Sequence, residues 1–259
     1  MRTTTKIKSI TGAAVALVAL TIAAFSALPG SPESAPLPPK TSTPISAPTE
    51  NPPTATDEAI SPYADTAALA AALPVIVVDE SALPPYRRAS FEKNNRAWTD
   101  IDGNGCRQRE DFLARDLVDV EIASDGCTVL RGVLEVDPYT GKRIVFQHDR
   151  VAEPGNPGSQ GVQGEHIISL KAAHVGGAWA WTNEQRILFA NDLDNVISVD
   201  GKTNQSKQDS GPADWLPQTA YRCTYVTKYT QIATEWGLAV SAADRDALVT
   251  TLNECAVSE

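Results

Sequence analysis

Histidine, cysteine and methionine are scarce, with three, four and one residues among 259. No C-x-x-C pair occurs, which argues against zinc sites built on that spacing. Cationic side chains are not in excess: 22 Lys and Arg stand against 32 Asp and Glu, a formal net charge of −10. A protein that simply coats nucleic acid needs surplus positive charge against the phosphates, so this balance argues against that class. It does not speak against a small nucleic-acid site, because a local basic strip or a metal ion can reverse the field there. No internal repeat and no base-reading element can be seen.

The long apolar run is confined to the start. Arg2, Lys6 and Lys8 form a basic opening, and "ITGAAVALVALTIAAFSAL", Ile10 to Leu28, carries no charge. Small residues follow, suited to cleavage after Ser26 or Ala27. Residues 1–28 therefore read as a secretory signal peptide, with an uncleaved N-terminal membrane anchor facing outside as the alternative. The leader has no cysteine, which argues against a lipoprotein. Residues 29–63 are rich in Pro, Ser and Thr and read as a linker that builds no core. Residues 64–85 read as an N-terminal extension whose first half suits a short helix, and 86–259 as the globular domain.

Export makes the cysteines legible. Cys106, Cys127, Cys223 and Cys255 are even in number, and an oxidising compartment favours two disulfides. Three pairings are open. Cys106–Cys127 and Cys223–Cys255 are favoured because each closes a short local loop.

Hydrophobic spacing gives the elements. Phe112, Leu113, Leu117 and Val120 recur at helical spacing in "CRQREDFLARDLVDV". "CTVLRGVLEV", "DPYTGK" and "RIVFQH" read as strand, turn and returning strand. "GEHIISL" and "NVISVDG" read as short strands. "TNEQRILFAND" reads as a helix opening on a threonine cap, and "TNQSK" begins a helical turn. "TAYRCTYVTKYTQIATEWG" and "SAADRDALVTTLNEC" read as two terminal helices, the second opening on Ser241 and Asp244 in capping-box spacing. The fold class is α+β.

Two of the three histidines lie in "GEHIISLKAAHVGGAWAW". Polar residues in this region fall at the joints between elements: Glu165-His166 on one strand, Asn195 at the start of the next, Asn204 after the following loop. A carboxylate and an amide oxygen are hard ligands suited to Mg²⁺ or Mn²⁺, and a neutral imidazole beside them can take a proton from water. "DIDGNGCRQRED" places Asp100, Asp102 and Asn104, with Asp111 at the twelfth position, in a pattern close to a calcium loop, although the usual closing Glu is replaced by Asp.

From Ala97 to Cys255 the ordered motifs resemble the HNH (His-Me finger) endonuclease family, in particular its secreted bacterial branch related to the C-terminal domain of GmrSD-type restriction proteins (DUF1524). The motifs are "EHIISL", Trp181, "FAND", "NVISV", "NQSK" and "WLP", with "NGC", "RDL", "DPYTGK" and "YRC" alongside. The resemblance implies a ββα-metal core with added helices and a β-hairpin, stapled by the disulfides. It implies metal-dependent endonuclease activity on nucleic acid, with DNA favoured. The lack of a base-reading element points to low sequence specificity; no obligate protein partner is evident, and a monomer is the expectation. The resemblance implies His166 as general base and Asn195 as the residue holding the histidine-bearing loop. It implies Glu165 and Asn204 as ligands of Mg²⁺ or Mn²⁺. Lys207 is a candidate phosphate contact or a solvated charge, and His174 a candidate near the substrate or a solvated helix residue. Two departures stand out. Glu165 replaces the family's Asp, one methylene longer, and Gly164 replaces an aliphatic residue and is expected to loosen its strand. The competing expectation is a surface or binding protein that keeps the scaffold with weak or no turnover.

Overall fold

The computed structural model describes residues 61–77 and 79–258. The leader and residues 29–60 of the expected linker lie outside them. Ser61 caps helix α1, Pro62–Ala72, which starts on a proline and ends at Leu73, before Pro74. Ala67, Ala70 and Leu73 are buried in the larger of two hydrophobic cores. The folded part therefore begins ahead of Tyr86, the start expected from the sequence. The following segment runs as an isolated bridge, with Ile76 N donating to Val240 O at 2.9 Å and Val240 N to Pro74 O at 2.9 Å.

Helix α2, Gln108–Asp116, carries Glu110 and Asp111 in its first turn and Arg115 in its last, the charge order the helix dipole favours. It stops at Leu117. Val120 was expected on this helix; instead "VDVEI" forms strand β1, Val118–Ile122. The alternation of β-branched residues wins there because an edge is open to pair with, namely β2, Val129–Leu134. Strand β3, Ile144–Gln147, completes an antiparallel sheet in the order β1-β2-β3, so the expected hairpin is present with a third strand beside it. The Cys106–Cys127 disulfide ties the chain ahead of α2 to the β1–β2 turn.

Strand β4, Val162–His166, pairs antiparallel with β5, Val196–Asp200, from Val162 opposite Asp200 to His166 opposite Val196. Between them lie α3, Leu170–Val175, and α4, Asn183–Ala190, the latter opened by the expected Thr182 cap in a full capping box with Gln185. Helix α5, Gly201–Lys207, follows β5 directly, because Asp200 caps it by accepting from Thr203 N at 2.8 Å. Gly201 is required at that junction, since a Cβ there would lie on the Gln160 carbonyl oxygen. Helices α6, Thr219–Glu235, and α7, Ala242–Val257, close the chain and are joined by Cys223–Cys255. Both disulfides match the favoured pairing.

The architecture is α+β with two small antiparallel sheets. The larger core gathers residues of α1, α3, α4, α6 and α7. The smaller core places Phe112 and Leu113 of α2 with Val129 and Phe146 of the first sheet and Val162 and Val196 of the second. Strand β5 contributes to both cores, Val196 to the smaller and Ile197 and Val199 to the larger. Among the described residues no helix is long and apolar enough to cross a membrane.

Candidate active site

Successive residues of a strand point to opposite faces, so the neighbours Glu165 and His166 stand in different surroundings. The chain is pinned immediately after His166. Asn195 is wholly buried; its Oδ1 accepts from Ile168 N at 2.9 Å, its Nδ2 donates to Ile168 O at 3.3 Å, and its carbonyl accepts from Ile167 N at 2.9 Å. Tyr225 Oη donates to Ile167 O at 3.3 Å. An asparagine satisfies this turn because one side chain supplies both a donor and an acceptor to the same backbone unit.

His166 Nε2 lies 2.8 Å from the Ala190 carbonyl oxygen. A carbonyl only accepts, so Nε2 carries the hydrogen and Nδ1 keeps its lone pair. Nδ1 has no protein partner among the described residues and is not sealed from solvent. The indole of Trp98 stacks on the imidazole, centroids 5.2 Å apart and planes 11° apart, and meets Phe112 edge-on at 5.0 Å. Gly164 makes this possible. A Cβ there would lie 2.3 Å from the Phe112 ring and 3.0 Å from Trp98. The glycine therefore does not loosen the strand, as the sequence suggested; it clears the space that the two rings fill. Burial lowers His166 from 6.5 to about 4, opposed by the Ala190 hydrogen bond, with smaller contributions from the charges of Arg88 and Lys207. The imidazole is neutral at pH 7.

On the other face, Glu165 Oε1 takes Lys207 Nζ at 2.5 Å and Tyr139 Oη at 3.4 Å. Lys207 Nζ also reaches His166 O at 3.5 Å and stands 6.0 Å from the centre of the Trp215 ring. Burial raises Glu165 above the ordinary carboxylate value, and the Lys207 ammonium and Tyr139 hydroxyl pull it back. Burial also holds the Tyr139 phenol protonated, as a donor to Glu165 requires. Lys207 is completely buried, so in this structure it is neither an open phosphate contact nor a solvated charge. Its ammonium is turned inward onto the Glu165 carboxylate.

Asn204 donates from Nδ2 to Gln163 Oε1 at 3.0 Å. Glu165, His166, Gln163, Asn204 and Trp98 all line one groove of about 500 Å³. Asn204 Oδ1 has no hydrogen-bond partner among the described residues, and neither it nor Glu165 Oε2 is a sealed, unsatisfied atom. One carboxylate oxygen and one amide oxygen fit Mg²⁺ or Mn²⁺, which bind through few protein ligands and leave room for water and phosphate. Among the described residues no three His, Cys, Asp or Glu side chains converge on a metal position.

Two expectations fall outside the groove. His174, on α3, contacts the Pro84 carbonyl through Nε2 at 2.7 Å, and its ring packs on Tyr86. It anchors the segment ahead of Tyr86 and does not line the groove. In the calcium-like loop, Asp100 accepts from Gly103 N at 2.7 Å and Gly105 N at 3.0 Å, and Asp102 accepts from Asn104 N at 3.1 Å. Asn104 Oδ1 takes Cys106 N at 2.7 Å, while its Nδ2 donates to Asp111 at 3.0 Å. These oxygens serve the turns of their own loop. In the other direction, Arg88, Trp98 and Arg109 line the groove and were not singled out from sequence. They come from segments well ahead of "GEH" and carry no motif.

Residues 108–251, more than half of the chain, match the family described as GmrSD restriction endonucleases, C-terminal domain. An uncharacterized secreted protein of Arthroderma benhamiae is 34% identical over 161 residues, covering 61% of this chain and 72% of that protein. No solved structure matches. Glu165, His166, Asn195, Asn204 and Lys207 all fall within the matched span, and the chain belongs to the family of the C-terminal domain of GmrSD restriction endonucleases.

Proposed function

We propose that the protein is an exported, metal-dependent endonuclease of the HNH type, hydrolysing phosphodiester bonds of nucleic acid, DNA in preference, with low sequence specificity. The observation that carries this reading is the tautomer of His166. Its Nε2–H is committed to the Ala190 carbonyl, so Nδ1 is a neutral base on a residue that lines the same groove as Glu165 and Asn204. In the reaction Nδ1 takes the proton of an attacking water, and the Ala190 carbonyl steadies the imidazolium that results. A divalent cation on Glu165 and Asn204 would neutralise charge on the phosphodiester and its leaving oxygen. The order β4, β5, α5 supports a ββα core. Low specificity follows from the lack of a base-reading element, leaving phosphate contacts to supply most of the affinity. Export rests on the leader pattern and on the secreted relative.

A second reading has its own observation: Glu165 Oε1 is already occupied by Lys207 and Tyr139. On that reading the chain is a surface or binding protein on a nuclease scaffold. Incubating the full oxidised chain with supercoiled plasmid, and in parallel with RNA, under Mg²⁺, Mn²⁺ and EDTA separates the two. Nicking that needs metal is the expected result. Failure of the folded protein to cleave either nucleic acid would favour the scaffold. Glu165→Asp shortens the side chain away from Lys207, and a gain in Mg²⁺-supported rate would mark the longer carboxylate as a handicap at the metal.

A further inference from the structure

The groove beside His166 does not share the charge of the chain. The formal net charge is −10, yet the charged residues lining the groove are Arg88, Arg109, Glu165 and Asp209. Glu165 is paired with the buried Lys207, and the two arginines are paired in turn with Glu110 and Glu92. The charged side chains lining the groove sum to zero, against −10 for the whole chain, and its cations are these two arginines.

The two arginines come from different elements and are presented differently. Arg109 sits on α2. Its Nη1 donates to Glu110 Oε1 at 3.1 Å, and its guanidinium carbon stands 6.0 Å from the centre of the Phe146 ring. Glu110 is itself buried and accepts from Val129 N at 3.0 Å through its other oxygen. The guanidinium is thus oriented before any ligand arrives, while Nε and Nη2 make no protein hydrogen bond among the described residues. Glu110 does not depend on it alone, since Arg107 Nη2 reaches the same oxygen at 3.5 Å. Arg88, in the 3-10 turn Arg88–Phe91, has a side chain 56% exposed, and its nearest carboxylate, Glu92, is 3.6 Å away. Phe91, beside it, is buried and roots the turn in the larger core. A planar fork of donors matches phosphate oxygens pairwise, which is why arginine suits this task.

We infer that Arg88 and Arg109 bind the phosphate backbone of the nucleic-acid substrate in the groove beside His166. The inference rests on the nuclease reading for the identity of the substrate. Neither residue touches the reacting water in this scheme; both set affinity.

The test is fluorescence anisotropy of a labelled DNA duplex of mixed sequence with the full chain, in EDTA so that no turnover occurs, over a range of salt concentrations. Arg88→Gln and Arg109→Gln should each weaken binding several-fold, equally for duplexes of unrelated sequence. Each should lower the slope of log affinity against log salt by about one. Arg109→Lys, which keeps the charge if the contact with Glu110 relaxes, should keep most of the slope. Unchanged affinity and slope in both glutamine variants, alongside metal-dependent cleavage by the wild type, would overturn this inference and leave the nuclease reading standing. Weakened binding in the variants with no cleavage by the wild type would do the reverse. A wild type that neither binds nor cleaves overturns both.

Discussion

The two faces of strand β4 hold adjacent residues by different means. On one face Glu165 is fixed by charge, through the Lys207 ammonium and the Tyr139 hydroxyl. On the other, His166 is fixed by a backbone carbonyl and by the flat of an indole. A carboxylate buried without a counter-charge would be costly, so its face needed a cation from another element. A neutral imidazole needs only one acceptor and an apolar wall, and gains a depressed pKa from the same burial. The difference teaches that one strand can present an anionic oxygen and an uncharged base to a single groove. Each group keeps the protonation state its own side dictates.

The comparison can be broken most severely on the charged face. Lys207→Met leaves Glu165 buried and unpaired, and should cost about 3–5 kcal/mol of stability in urea unfolding. Adding Glu165→Gln should recover much of that loss, and a double variant no more stable than the single would show that the pair is not what binds the two. The aromatic face is sharpened by pH. Unfolded His166 takes a proton below about pH 6.5, whereas the folded ring stays neutral to about pH 4. Above pH 6.5 the histidine costs nothing; as pH falls from there to 4, stability should drop by up to about 3 kcal/mol. His166→Gln should flatten that part of the stability–pH profile, and an unflattened profile would place the titration elsewhere. Smaller still is Gly164→Ala. The new methyl would press on Phe112 and Trp98, costing about 1–3 kcal/mol and disturbing the indole that covers His166. Melting temperature and tryptophan fluorescence would report both; an unshifted spectrum would mean that the rings yield freely.

Much of this was legible in the sequence because it is local. Thr182 before "NEQ" fixes a helix start by its own hydrogen bonds, and each disulfide closes a short stretch of chain. The turn made by Asn195 was legible through the motif resemblance. Val120 was misread because its helical spacing competes with an alternation of equal length, and only the neighbouring β2 decides between them. Lys207 was misread because a lysine in a polar run gives no sign that a carboxylate lies on its buried side. Trp98, Arg88 and Arg109 were illegible because what matters is where they arrive, and Gly164 because the space it clears belongs to rings far from it in sequence. The compact role of α1 was hidden by alanines, which bury well but give little amphipathic pattern.

The central claim is that Nδ1 of His166 is the base. The most direct measurement is the single-turnover rate of plasmid nicking by the full chain in Mn²⁺, wild type against His166→Ala, with both shown to be folded and both binding DNA in EDTA. The account predicts a fall of about 100- to 10,000-fold on removal of the imidazole, with DNA affinity little changed. Equal nicking rates in the two folded proteins would contradict it.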